Sequence, residues 1–212
     1  NILMNFQKYK IMIIKWEKGN NMDSRESKVE NYFKRRQGNM DAKFEEILKE
    51  DLEMLANRAK KLGILPDDVN SQPVQLMTPD HFLEETVSYR LNKDEDKSVL
   101  RYSQAAVTTL FYDDERLYYH QCNLDVKTGK VYEDVAGELK FDDIVTVETF
   151  LTYDGEDDPG YARLDVEIQL SNGSELVLVV RRHPITKNYS DEYLLSTKEE
   201  TFLTLLKSLI RR

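Results

Sequence analysis

Two side chains with metal-ligand chemistry lie two residues apart in a predicted strand, His120 and Cys122. Alternate residues of a strand point to the same face, so an imidazole and a thiol are placed side by side. Such a pair could begin a zinc site, but a closed site needs four ligands. The other histidines, His81 and His183, are distant in the sequence. We therefore interpret the pair as a strand histidine and a small buried thiol.

An acidic loop occupies residues 154–160. Asp154, Glu156, Asp157 and Asp158 carry oxygen atoms that a calcium ion could use. The alternating ligand spacing of an EF-hand loop is missing, and charged hairpin tips commonly keep strand edges from pairing. We interpret the segment as a solvated hairpin tip.

The sequence contains none of the short motifs that carry nucleophilic, phosphate-binding or metalloprotease chemistry. No serine, cysteine or lysine stands in a nucleophile motif, and neither a glycine-rich phosphate loop nor an H-E-x-x-H pair is present. The 39 Asp and Glu residues are too many for one acid–base pair to stand out. We predict a protein that is not an enzyme, with no catalytic residue, no cofactor and no metal.

Charge is unevenly distributed along the 212 residues. The formal net charge is −9, yet residues 1–65 hold 14 Lys and Arg against 10 Asp and Glu, a net +4, which leaves −13 for the remainder. An acidic surface lacks the basic groups that phosphates require, so we predict no nucleic-acid partner. A single cysteine excludes an intrachain disulfide and fits a reducing compartment. A cytoplasmic location is expected, with membrane association as an open alternative.

Two helices are predicted near the N-terminus, over residues 23–37 and 41–62. The second has one broad apolar stripe at three- and four-residue steps, and Gly63 follows as its C-cap. This stripe must be buried on the first helix, on the rest of the chain or on a partner. Our candidate partner-binding residues on it are Phe44, Leu48, Leu52 and Leu55.

Aromatic residues crowd the early predicted strands, where Tyr118 and Tyr119 are adjacent. Aromatic side chains are favoured at protein interfaces, although ordinary strand propensity is the interpretation that we favour. We include these two tyrosines among the candidate partner-binding residues.

The first 21 residues have an apolar run that Lys8 and Lys10 interrupt, so it cannot span a bilayer. The sequence leaves open whether residues 1–21 are native or are upstream or vector-derived material. An interfacial anchor that uses Ile11–Ile14 and Trp16 is the alternative. Further along, prolines and small polar residues over 66–85 predict a linker.

A run of short strands with turn signals between them follows the linker and ends in a helix over 197–210. Gly-containing turns at 127–130 and 171–174 predict hairpins. The predicted strands are Thr86–Leu91, Leu100–Tyr112, Arg116–Leu124, Lys130–Val135, Ile144–Tyr153, Ala162–Leu170 and Glu175–Arg182.

This order of strands and closing helix resembles the bacterial pleckstrin-homology-like (PH-like) domains of the GRAM type over residues 86–212. The hairpin Thr108–Tyr119 resembles their "T-x-x-R-L" entry, and Phe141–Val147 resembles their "y-x-D-I-x-x-V" segment. The resemblance implies a bent seven-stranded sheet or barrel capped by the C-terminal helix. It also implies a scaffold for lipid, peptide or protein contacts.

One departure from that family concerns the loop after its first strand. Phosphoinositide-binding members present Lys and Arg there, whereas Asn92–Lys97 has more acid than base. We therefore do not expect phosphoinositide binding.

The sequence thus predicts an α+β protein with a helical arm (1–65), a linker (66–85) and a PH-like β domain (86–212). Our leading hypothesis is a non-enzymatic module that binds a protein partner, with the arm serving docking or self-association. One alternative is a membrane-proximal domain of a longer protein. The other is a small enzyme or ligand receptor with a pocket in the barrel mouth.

Overall fold

The computed structural model describes residues 24–34, 40–62, 69, 72–84, 86–94, 97–154, 160–185 and 197–210. Residues 1–21 and residues 155–159 of the acidic loop lie outside this set, so the anchor and the hairpin-tip interpretations stay predictions. The side chains of Asn92–Lys97, on which the phosphoinositide prediction depends, also lie outside it.

The described ranges combine helices with antiparallel strands, which confirms the α+β class. The helices are α1 (Arg25–Lys34), α2 (Met40–Leu62) and α3 (Thr197–Ile210). The strands are β1 (Val74–Pro79), β2 (Tyr89–Asp94), β3 (Lys97–Tyr102), β4 (Gln104–Tyr112), β5 (Arg116–Asp125), β6 (Lys130–Lys140), β7 (Ile144–Asp154), β8 (Gly160–Leu170) and β9 (Glu175–Ile185). The helices predicted over 41–62 and 197–210 are confirmed.

The strands form three sheets within the described residues and do not close into a barrel. A central sheet has the order β1-β4-β5-β6, and a second sheet has the order β7-β8-β9. Strands β2 and β3 form a separate hairpin, inserted between β1 and β4. Every pairing is antiparallel.

Part of the predicted linker is a strand. Val74–Pro79 pairs with β4 as β1, so the β domain begins before residue 86. The prolines misled the sequence interpretation, because β1 is the edge of its sheet and Pro79 lies at its last position, where a missing N–H is tolerated. The predicted strand Leu100–Tyr112 is likewise divided in two at Ser103.

Helices α1 and α2 cover one face of the central sheet, and their apolar residues share a core with β4 and β5. Tyr32 of α1 stacks on Phe44 of α2, with ring centroids 3.9 Å apart. The β2–β3 hairpin is tied to α2 by ion pairs from Arg90 to Asp41 and from Arg101 to Glu45. The helical arm is therefore part of the same core as the sheet.

The second sheet and α3 cover the opposite face of the central sheet. Strand β9 meets that face through side chains: Thr108 Oγ1 donates to Val179 O at 3.0 Å, and Gln121 bonds both Val177 O and Val179 N. Thr78 makes the same kind of contact with the backbone of Arg182. These bonds satisfy backbone groups of β9 that no neighbouring strand pairs within the described chain.

Candidate functional site

The candidate partner-binding residues of α2 are largely buried by contacts within the chain itself. Phe44, Leu48 and Leu55 are buried in the core between the helices and the central sheet, and Leu52 is half-buried against it. A partner could reach the three buried residues only if α2 moved away from the sheet. Their apolar spacing is explained by contacts within the chain itself.

Tyr118 and Tyr119 are not brought together, because adjacent strand residues point to opposite faces. Tyr118 is buried on the helix side and donates to Asp113 Oδ2 at 3.1 Å. Tyr119 is half-buried on the other side and lies over Gly137, its partner in β6. Neither tyrosine forms an open aromatic surface.

The structure places a carboxylate, that of Asp134, beside His120 and Cys122. One imidazole nitrogen, Cys122 Sγ and one carboxylate oxygen of Asp134 lie within 4.8 Å of one another. His120 Nε2 is 2.8 Å from Asp134 Oδ1. We call Arg58, His120, Cys122 and Asp134 the polar cluster.

A β-bulge in β6 places Asp134 in the polar cluster. The register shifts between Gln121 and Asn123, so Glu133 and Asp134 together lie opposite Cys122. Glu133 has a φ of 53°, the left-handed conformation that glycine usually supplies at such bulges. The extra residue turns the Asp134 side chain toward α2, on the same face as His120.

Arg58 of α2 binds Asp134 with both prongs of its guanidinium. Its Nε lies 2.9 Å from each carboxylate oxygen, and its Nη2 also donates to Oδ2. This pairing lowers the pKa of Asp134 and outweighs the burial of that carboxylate, which would raise it. The result is a charged Asp134 that only accepts hydrogen bonds.

The polar cluster is not arranged as a nucleophilic site. Burial, with a smaller contribution from the nearby Asp134 charge, raises the pKa of Cys122 to about 12, so its thiol is protonated at neutral pH. Helix α2 covers the thiol from a substrate. His120 Nδ1 is buried and has no hydrogen-bond partner in the described part of the chain.

An open surface exists along β7. This 11-residue strand is the edge of the second sheet, and no described strand pairs with its outer side. Its exposed apolar side chains are Val145 (66% exposed), Phe150 (42%) and Leu151 (51%). We call this unpaired side of Ile144–Asp154 the β7 edge.

The two faces of the sheet next to the β7 edge differ in chemistry. Leu151 pairs with the buried Leu164 and lies on the inner face, where it extends the apolar core toward solvent. The outer face carries Glu148, Asp165, Glu167 and Glu175, together with the exposed Phe150 and the basic residues Arg163 and Arg182. An added strand would meet Leu151 on the inner face, and Phe150 among carboxylates on the outer face.

Comparison with protein-family models, with curated proteins and with solved structures gives no match. Among the described helices, none is both long and apolar enough to cross a membrane. The functional conclusions below therefore rest on the geometry of this chain.

Proposed function

We propose that this protein is a non-enzymatic binding module that takes up an extended segment of a partner protein at the β7 edge. The observation that carries the proposal is the unpaired 11-residue edge strand with exposed Phe150 and Leu151. Edge strands expose a row of backbone donors and acceptors that an incoming strand can pair, while alternate side chains provide specificity.

The natural safeguards against edge pairing are sparse on β7. The strand has no lysine and no proline, and its register shift is confined to its first residues, at Ile144–Thr146. Nine consecutive residues, 146–154, then continue in regular pairing with β8. An edge of this length and composition is suited to a partner strand.

We infer that the β7 edge belongs to a PH-like module. Support comes from the four-stranded and three-stranded sheets, which share a core, and from α3, whose Phe202 and Leu206 lie in that core. The β2–β3 hairpin would be an insertion after the first strand of that fold. The partner surface in this proposal is the β7 edge and not the helical arm.

The chemistry of the edge favours a partner segment in which basic and apolar residues alternate. Basic side chains would face Glu148 and the outer carboxylates, and apolar ones would cover Leu151. A second copy of this chain is disfavoured, because it would bring another Glu148 and a net charge of −9 against the same face.

The test uses a fluorescent peptide in which lysine alternates with valine, mixed with the full chain. We expect saturable binding, increased hydrogen-exchange protection of β7 amides, and loss of both in Leu151→Lys. Leu62→Lys is the matched control, because Leu62 is 45% exposed at the end of α2, which covers the opposite face of the central sheet.

Equal loss in both variants, or protection outside β7, would contradict the proposal. A peptide with glutamate in place of lysine separates the backbone contribution from charge: it should bind more weakly. Light scattering on the same samples detects a dimer, and a dimer abolished by Leu151→Lys would assign the edge to a second copy instead.

A further inference from the structure

We propose that His120 and Cys122 form a binding site for a soft monovalent metal ion of the Cu⁺ class, with Asp134 as the positioning residue. The site is distinct from the β7 edge and does not depend on the proposed function. It lies between α2 and the central sheet, on two paired strands, which hold side chains more rigidly than loops do.

The hydrogen bonds of the polar cluster fix which nitrogen of His120 is available. Asp134 is ion-paired to Arg58 and can only accept, so the imidazole Nε2 that lies 2.8 Å away carries the proton. Nδ1 then presents a lone pair. His120 is only 1% exposed and its Nδ1 has no partner among the described residues, so a buried ligand atom is left over.

A carboxylate behind a histidine is the usual support of a metal ligand, since it sets the tautomer and the ring orientation. Asp134 occupies that position here, and Arg58 holds Asp134. The second ligand is Cys122 Sγ, on the same face of β5 two residues away. One imidazole nitrogen of His120 lies within 4.8 Å of Cys122 Sγ. Ordinary metal–sulfur and metal–nitrogen lengths add to about 4.3 Å for a linear site, so an ion between the two side chains needs no large movement of either.

Charge selects the class of ion. When the ion binds, the sulfur–hydrogen bond breaks, a sulfur–metal bond forms and one proton leaves to solvent. A monovalent ion on the resulting thiolate adds no net charge to the buried site, whereas a divalent ion would leave a buried positive charge. Thiolate and imidazole ligands also suit soft ions such as Cu⁺.

The site borders solvent at one point. Asp134 keeps 20% of its side chain exposed, and Arg58, which is 43% exposed, lies above it. The side of the polar cluster next to Arg58 is therefore where we place the entry of the ion.

The test is an anaerobic competition for Cu⁺ between the full, untagged chain and a coloured Cu⁺ chelator, with reductant present. We expect one ion for each chain, and X-ray absorption of the loaded chain should show one sulfur and one nitrogen neighbour. This absorption measurement needs no variant, so it decides the ligands even if a substitution prevents folding.

Among variants, Cys122→Ser should abolish binding, and Asp134→Asn should weaken it by about 10- to 100-fold. His81→Ala is the matched control, because His81 is exposed and distant in sequence, and it should leave the affinity unchanged. Cu⁺ binding that survives Cys122→Ser, or an absorption spectrum without sulfur, would overturn the proposal. Tighter binding of Zn²⁺ than of Cu⁺ would overturn the monovalent assignment.

Discussion

Arg58 of helix α2 and Asp134 of strand β6, 76 residues apart in the sequence, form a two-pronged ion pair. The pair fixes the helical arm to the strand farthest from β1 in the central sheet. It also holds the carboxylate that accepts a hydrogen bond from His120 Nε2. This ion pair thus links the packing of α2 to the hydrogen bonding of the buried His120.

Arg58→Met should destabilise the chain, because Asp134 would lose its charged partner while staying mostly buried. The pair is partly exposed, so we expect a loss of about 1 kcal/mol in the free energy of unfolding, measured by urea denaturation. Arg116→Met is the control, since it removes an ion pair to Glu138 on the neighbouring part of the same strands. An equal loss in both variants would mean that the Arg58–Asp134 pair stabilises the chain no more than the Arg116–Glu138 pair does.

Glu133→Gly should stabilise the chain. A left-handed φ costs an L-residue roughly 1–2 kcal/mol, and glycine removes this cost. Glycine also has more conformational freedom in the unfolded chain, which offsets part of the benefit, so the free energy of unfolding should rise by about 0.5–1 kcal/mol. Glu133→Ala is the control, because it keeps the strained φ and removes only the contact with Asn123. If both variants are equally stable, the bulge is not strained.

Gly137→Ala should destabilise the chain by about 1–3 kcal/mol through overpacking. A Cβ at this position would lie 2.6 Å from Tyr119 Oη and 2.8 Å from its Cζ. The same substitution combined with Tyr119→Leu should cost much less than the sum of the two single changes. Thermal unfolding of the four chains measures this coupling, and simple additivity would rule out the contact.

Asp113 should make stability depend on pH in the acidic range. Burial alone would raise the pKa of Asp113, but backbone N–H donation from Glu115 and Arg116 outweighs it and lowers the pKa. A lowered pKa stabilises the folded chain above the unfolded value, about pH 3.9, and this stability is lost as pH falls through the lower folded value.

Asp113→Asn keeps an acceptor for the two backbone donors but has no charge to lose. Its deficit in unfolding free energy relative to the unmodified chain should therefore shrink from about pH 6 to about pH 3. A deficit that stays constant over this range would show that the charge of Asp113 has no role in stability.

The helices were predictable because their signals are local. The apolar spacing of α2 and the caps of α3 depend on residues within a few positions of each other, and the observed bounds agree with 41–62 and 197–210. What covers α2 was not predictable, since a stripe such as Phe44 and Leu55 shows only that it is buried. In the structure α2 is covered by the central sheet, whose strands are distant from it in the sequence.

The polar cluster was half predictable. The two-residue spacing of His120 and Cys122 placed them on one face, but Asp134 and Arg58 reach them only through strand pairing and helix packing. A signal for the bulge was present: the consecutive acidic residues Glu133 and Asp134 interrupt the two-residue period of β6. Strand β1 was missed because Pro73 before it and Pro79 at its end give a loop signal, although an edge strand tolerates proline at these positions.

The side-chain contacts between β9 and the central sheet have a consequence for folding kinetics. Thr78 and Arg182 are 104 residues apart, and Gln121 is 56 residues from Val177. Contacts of such long range close large loops and are expected to form late. Until these contacts form, the outer side of β9 is unpaired, as that of β7 is. Newly made chains would therefore pass through a state in which both edges of the second sheet are exposed.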